Sequence, residues 1–568
     1  MRYLFLLLAA ALLAACDKPP PASAPAALTS PEGLHAHSAL FEREVIRVTE
    51  RVHVAVGFGL ANSIMIEGDD GLIIIDTMES VEAATEVLTA FRALSDKPVA
   101  AIIYTHNHAD HVFGAAAFAE GGEVPVYAHD TTAFHINQVV NIVQPIISTR
   151  SMRMFGNHLD DAGLVNAGIG KALRLSPQST LHALPPTRIF SDRLTVNVAG
   201  IELELIHAPG ETDDQILVWF PAEKVLFPGD NIYQAFPNLY TIRGTPHRDV
   251  TRWVSSLDLM RSLGAEHLVP SHTRPVDGAT TIQALLTDYR DAIAFVHDQT
   301  VRLMNHGLTP DQISTQLALP PHLAEHPWLQ EYYGTVAWSA RAIFNGYLGW
   351  FDGNPATLRP LSADDRARAM AHLAGGTEAL LAQAQQALEE GAGQWALELS
   401  DHLTVLLPGH EAVPQLRSRA LRMLGEAESN PNARHYYLTE AAEVRDGLVP
   451  AFRMRTPTAF LASLPIENYL DAMPILLKAE ETLENTEHIG FRFTDSGKSF
   501  TLTIRRGVAA LTPGETKGAI GTLVTTEQTW KDIAAGERNF LLTLAGADLA
   551  IEGSRTGLLR FLGYFERR

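Results

Sequence analysis

The chain has 568 residues, 46% of them hydrophobic, with a formal net charge of -21. That length calls for three or four domains rather than one, and that apolar share supports large buried cores. The negative balance excludes nucleic-acid binding, which needs concentrated Lys and Arg.

In chain order, Met1-Arg2 is a short basic start. The apolar run Tyr3 to Leu12 that follows is too short to span a bilayer. Leu13-Ala14-Ala15-Cys16 comes next and resembles a bacterial lipobox, with the only cysteine of the chain at the cleavage position. The expectation is a signal peptide over 1–16 and a periplasmic protein anchored in the membrane through a lipidated Cys16. Asp17 resembles an inner-membrane retention signal. No intramolecular disulfide is possible, so the fold must rest on its cores and on metals. Residues 17–39, rich in Pro, Ala and Ser at their start, read as a flexible tether.

From 40 to 310 strand and helix patterns alternate, which implies a layered α/β domain. Ile64-Met65-Ile66 and Leu72–Ile75 flank a Gly-containing turn and read as a hairpin ending at Asp76. A helix from Val81 to Leu94 and an apolar strand at 101–104 precede the segment richest in chemistry, Thr105-His106-Asn107-His108-Ala109-Asp110-His111. Three histidines and an aspartate within six residues, behind a buried-type strand, aim imidazoles and a carboxylate at one small volume. These are the ligands that Zn²⁺ and similar metals prefer. Three later strand-like runs also deliver a ligand type at their ends. Ile201–Ile206 leads to Glu211, Val225–Phe227 to Asp230, and His267–Val269 to His272. From 311 to 450, Ala- and Leu-rich segments such as Thr377–Leu388, Gln394–Leu406 and Ala412–Leu424 carry helical periodicity and read as stacked helical hairpins. From 451 to 568 an alternating pattern around Asp495-Ser496-Gly497-Lys498 predicts a β-hairpin in a small α+β domain.

The H-x-H-x-D-H cluster resembles the signature of the metallo-β-lactamase superfamily. The resemblance implies an αββα sandwich followed by the all-α and α+β domains. It also implies two Zn²⁺ ions: His106, His108 and Glu211 on one, Asp110, His111 and His272 on the second, Asp230 bridging. Two ions so placed can trap a shared water and generate hydroxide near neutral pH. Four features narrow the resemblance to the alkylsulfatase branch. A glutamate, Glu211, stands where most members carry histidine. The stretch Asn238-Leu239-Tyr240-Thr241-Ile242-Arg243-Gly244 resembles the branch motif. The segments 332–334 and 347–355 resemble the start of its helical dimerisation domain, and the last domain resembles a sterol-carrier fold. Departures are Glu211 directly after Gly210, Asp230 where Glu is usual, and Ser271-His272-Thr273-Arg274-Pro275 where the branch is His-rich.

What the branch implies is a homodimeric zinc hydrolase of amphiphilic sulfate esters. Asp110 and Arg243 are the candidate catalytic residues. The guanidinium fork of Arg243 suits the oxygens of a sulfate monoanion, with His247 and Arg248 as weaker neighbours. The aromatic segment from Trp328 to Trp350 is a candidate lining for the alkyl chain. Hydrolases of lactones, thioesters or phosphoesters would share the metals. A non-enzymatic lipid-binding lipoprotein would share the final domain.

Overall fold

A computed structural model describes residues 31–447, 464–515 and 517–566. The expected signal peptide, Cys16 and Asp17 lie outside the described residues. Two sheets face each other in the first domain. The first runs in the order β1 (Glu44–Arg47), β2 (Val52–Val56), β3 (Ser63–Glu67), β4 (Leu72–Ile75), β5 (Val99–Ile103), β6 (Val126–His129) and β7 (Arg188–Phe190). Its first four strands are antiparallel and the rest parallel. The expected hairpin is β3 and β4, with Ile66 opposite Ile73. The second sheet comprises β8 (Arg193–Val198), β9 (Ile201–His207), β10 (Ile216–Phe220), β11 (Val225–Phe227), β12 (His267–Leu268) and β13 (Val276–Asp277), in that spatial order.

Strand alternation decides what each face buries. Val54, Ile64, Ile73 and Ile103 of the first sheet meet Leu203, Leu205, Val218 and Phe227 of the second in one buried layer. The opposite face of the first sheet, with Met65, Ile74 and Ile102, packs on Val87 and Phe91 of the helix Val81–Arg92. The opposite face of the second packs Leu217, Leu226 and Leu268 on Trp253, Leu257, Ile282 and Leu286 of two helices, Val250–Ser262 and Ala279–Asn305. Helices thus cover both outer faces. The segment 321–343, read from the sequence as part of the helical domain, also contributes Leu323, Leu329, Val336 and Ile343 to this outer layer.

Five helices follow: Ala363–Ala374, Thr377–Glu389, Gly393–Leu406, Ala412–Ala427 and Pro431–Asp446, each packed on the next. The last returns to the first domain. Its Arg153–Glu443 ion pair at 2.6 Å and its His435 contacts with the carbonyls of Met154 and Leu164 span the two. The final domain is a five-stranded sheet. Its expected hairpin joins β14 (Thr486–Phe493) to β15 (Ser499–Arg505), with Phe491 opposite Phe500.

Two readings need correction. The end of the expected 17–39 tether is not a tether: Pro31–His37 is helical, and a 3-10 turn continues to Phe41. Leu34, His37 and Phe41 recur at three- and four-residue spacing and are buried. His37 stacks on Tyr332 at 4.3 Å and contacts the Gly168 carbonyl at 2.7 Å. The aromatic segment 328–350 does not act as one lining. Trp328 joins the outer core layer, while Tyr347 and Trp350 are 55% and 72% exposed. Tyr333 is buried close enough to the site to feel the charges of Glu211, Arg243 and Asp110. Among the described residues no helix is long and apolar enough to cross a membrane.

Candidate metal centre

The candidate ligands gather where strands of both sheets end. β5 delivers Tyr104, Thr105 and His106, and a one-turn helix, Ala109–Val112, follows with His108 at its start. Asp110 and His111 are thereby turned toward the same space. β9 leads into the Glu211 loop. Asp230 sits in a 3-10 turn after β11, at Gly229–Asn231, and His272 follows β12. β12 stops at Leu268, earlier than the sequence pattern suggests, because the chain turns away after Val269 bonds Leu226.

Glycine makes two of these approaches possible. Gly229 has φ 57, and a Cβ there would lie 1.9 Å from the Gln215 amide nitrogen. A Cβ on Gly210 would lie 2.1 Å from Asn231 Oδ1. Asn231 needs that space, because its Oδ1 accepts from the Glu211 amide at 3.3 Å and its Nδ2 donates to the Ala208 carbonyl at 2.8 Å.

All seven candidates come together. Asp110, His111 and His272 form one group of ligating atoms within 4.8 Å of one another; His108, Glu211 and Asp230 form another; His106, His111 and Asp230 a third. Asp230 is central: its Oδ2 lies 3.1 Å from His272 Nε2, 3.4 Å from His111 Nε2 and 3.7 Å from His106 Nε2. Each of these imidazoles is oriented through its other nitrogen, the arrangement that fixes a ligating tautomer. His111 Nδ1 meets Asp76 Oδ2 at 2.7 Å, His272 Nδ1 meets the Leu60 carbonyl at 2.9 Å, and His106 Nδ1 meets Thr105 Oγ1 at 3.0 Å.

Three of the candidate ligands carry a buried polar atom without a hydrogen-bond partner: His111 Nε2, Asp230 Oδ1 and Glu211 Oε2. Such atoms are costly unless something satisfies them, and divalent cations fit this donor set. The charges agree. Burial drives His106 and His108 well below the ordinary histidine range, which keeps their imidazoles neutral and able to donate a lone pair. For Asp110, burial pushes the carboxyl up, but His111 and His272 outweigh it and hold it at about 2. His111 and His272 are raised, against burial, chiefly by Asp230. Without a cation, the carboxylates therefore draw protons onto these two rings.

Arg243 lies beside the group, with Nη2 3.1 Å from His108 Nε2. Arg248, expected as a weaker neighbour of Arg243, spends Nη1 on the protein, while its Nε and Nη2 are buried without a hydrogen-bond partner. It donates to Glu211 Oε1 at 2.8 Å and to the Asn238 carbonyl. This pair opposes the burial that raises the Glu211 carboxyl to about 7. His247 is exposed and sits over Gly346, where a Cβ would lie 2.0 Å from the ring.

Sequence reasoning missed the hub beneath the site. Asp76 accepts from Thr105 N at 2.9 Å and from Thr105 Oγ1 at 2.9 Å, and its Oδ2 also accepts from Ser271 Oγ at 2.7 Å. Its place at the end of an apolar strand was the available signal. Asn238 was named only within a motif, yet it is fully buried with neither side-chain polar atom partnered.

The sandwich, with ligands at one edge, defines a hydrolase-type centre of the metallo-β-lactamase superfamily, whose family model matches residues 56–272. The following domains match the alkyl sulfatase dimerisation family over 309–447 and the alkyl sulfatase C-terminal family over 455–568. The chain is 38% identical to a linear primary-alkylsulfatase of Pseudomonas sp. (strain ATCC 19151) over 521 residues, covering 88% of this chain and 98% of that one. It is 29% identical to an (R)-specific secondary-alkylsulfatase of Pseudomonas sp., covering 92% and 80%. Among solved structures, a double mutant of the sec-alkyl sulfatase PisA1 aligns with a TM-score of 0.88 at 28% identity, covering 94% and 86%. The chain belongs to the alkylsulfatase family.

Proposed function

We propose that this protein is a dinuclear zinc hydrolase that cleaves alkyl sulfate esters to an alcohol and inorganic sulfate. The observation that carries the reading is the buried set of seven ligand residues, three with unpartnered polar atoms, beside the Arg243 guanidinium. The substrate class rests on the relatives, named for linear primary and secondary alkyl sulfates.

His106, His108 and Glu211 would hold one ion, Asp110, His111 and His272 the other, with Asp230 between them. Bound there, the ions supply a water acidified enough to attack at neutral pH. The remaining work falls to the chain. Arg243 orients the sulfate through its planar fork and holds it more tightly as charge moves onto the leaving oxygen. The side-chain amide of Asn238 is buried and unpartnered, while Arg248 donates to that residue's main-chain carbonyl. Asp110 stays ionised and can accept a hydrogen bond from the attacking water, orienting it. Arg248 offsets part of the burial that favours a proton on Glu211. Sulfate is a stable leaving group, which makes carbon–oxygen cleavage chemically reasonable, and the alkylsulfatase resemblance implies it.

The reading extends to the whole protein. A homodimer is supported by the match to the dimerisation family and by exposed Tyr347, Leu348, Trp350, Leu358 and Leu361 along one stretch. The sequence at Leu13–Cys16 supports a lipid-anchored periplasmic location. The test of the chemistry is release of inorganic sulfate from dodecyl sulfate in ¹⁸O-water, beside a lactone, a phosphoester and nitrocefin. Sulfate release with the label in dodecanol is expected. Label in sulfate would mean attack at sulfur, and turnover of another ester without sulfate release would overturn the substrate class.

A further inference from the structure

The loop between β2 and β3 makes an unusual number of bonds to one ligand loop. Asn62, at the end of that loop, is 3% exposed. Its backbone N–H donates to the Ser271 carbonyl at 2.7 Å. Its side-chain amide donates to the Pro270 carbonyl at 3.1 Å and to the Thr273 carbonyl at 2.8 Å. These three bonds bracket His272 on both sides. Two residues earlier, the Leu60 carbonyl accepts from His272 Nδ1 at 2.9 Å and so turns Nε2 toward Asp230.

The bracket has something to hold. Thr273 has φ 68, a left-handed conformation that a β-branched residue rarely adopts. Such a conformation persists only where its surroundings over-determine it. The Asn62 amide satisfies the carbonyl of that same strained residue. One end of the gripping loop is itself tied down: buried Glu79 accepts from Leu60 N at 3.4 Å and from Arg174 N at 2.8 Å. Asn62 also adjoins Ser63, whose hydroxyl donates to the carbonyl of Asp76, the hub that orients His111.

We infer that Asn62 is a positioning residue for the metal centre: its donors fold the 270–273 turn so that His272 presents Nε2 to the ion it would share with Asp110 and His111. The inference rests on the two-metal reading. Asn62 touches neither ion nor substrate, so its effect should fall on one metal position rather than on ester binding. Outer partners of this kind typically set metal affinity by about 10–100-fold.

The test compares wild type with Asn62→Asp and Asn62→Ala. The aspartate is isosteric but cannot donate to two carbonyls when ionised; alanine removes the donors without adding charge. Metal-stripped proteins are titrated with Zn²⁺ against a chromophoric chelator, their melting temperatures are taken metal-free, and kcat and KM for dodecyl sulfate are measured at saturating zinc. Expected are two ions in wild type and, in both variants, one ion held as in wild type and one weakened by about 10–100-fold. The metal-free variants should melt somewhat lower, because two buried carbonyls lose their donor, and kcat should fall while KM holds. If wild type binds two ions and both variants bind two with wild-type affinities, the inference is overturned while the two-metal reading stands. A general loss of melting temperature with zinc affinities intact also overturns it, since Asn62 would then serve only the fold. A wild type that binds fewer than two ions removes the reading and the inference together.

Discussion

In the proposed function, Arg243 is the side chain on which substrate choice turns. Its Nη2 lies against His108 and its fork is not used up in an ion pair with a carboxylate. Arg243→Ala should lower kcat/KM for alkyl sulfates by about 10²–10³, the usual cost of losing a charge-stabilising donor, with zinc content unchanged. Arg243→Lys should recover only part, since an ammonium lacks the fork. Steady-state kinetics with metal analysis check both. His106→Ala and Asp110→Ala should cost orders of magnitude in turnover and reduce bound zinc, because each removes a ligand. The clustering of the seven candidates was legible in the sequence because each follows an apolar run, and a strand's end presents its next polar side chain to the sheet edge. Asp76, Asn62 and Arg248 were not. Their roles come from contacts with residues 195, 211 and 37 positions away, which no local pattern records.

Among the elements, the helix Pro31–His37 was the least legible. Its apolar positions are sparse within a Pro- and Ala-rich region, and only docking reveals them as one face. That docking predicts a pH dependence. Burial lowers His37 to about 4, whereas the released imidazole titrates near 6.5. The undocked segment therefore binds the proton more readily between those values, so docking is complete above pH 6.5 and weakens as pH falls toward 4. The full effect is about 3 kcal/mol. Hydrogen-exchange protection at residues 32–41, referred to the intrinsic rate at each pH, should be high at pH 7.5 and much lower at pH 5. His37→Gln should abolish most of the difference. Equal protection at both pH values would show that His37 does not hold the helix. By contrast, the hairpins at 64–75 and 489–504 and the helices from 377 to 427 lie close to where their periodicity places them, because turn residues and amphipathic spacing are local signals.

At the scale of the whole molecule, the order of sandwich, helical layer and final sheet was legible from shifts in pattern, but the seams were not. Residues 321–343 build the catalytic sandwich's outer layer, and the helix Pro431–Asp446 returns to it through Glu443 and His435. Such seams are formed by tertiary packing. The large apolar side chains left exposed between Tyr347 and Leu361 predict a covered surface. Sedimentation should give a dimer at micromolar concentration, and Trp350→Asp should shift it toward monomer with zinc content unchanged. A wild-type monomer with full activity would remove the dimer. The central claim is that turnover requires two ions in the seven-residue site, and the most direct measurement is sulfate release from dodecyl sulfate by metal-stripped protein as Zn²⁺ is added back per chain. Turnover should be absent without metal and should rise to a plateau at two equivalents; full turnover in the metal-free protein would contradict the claim.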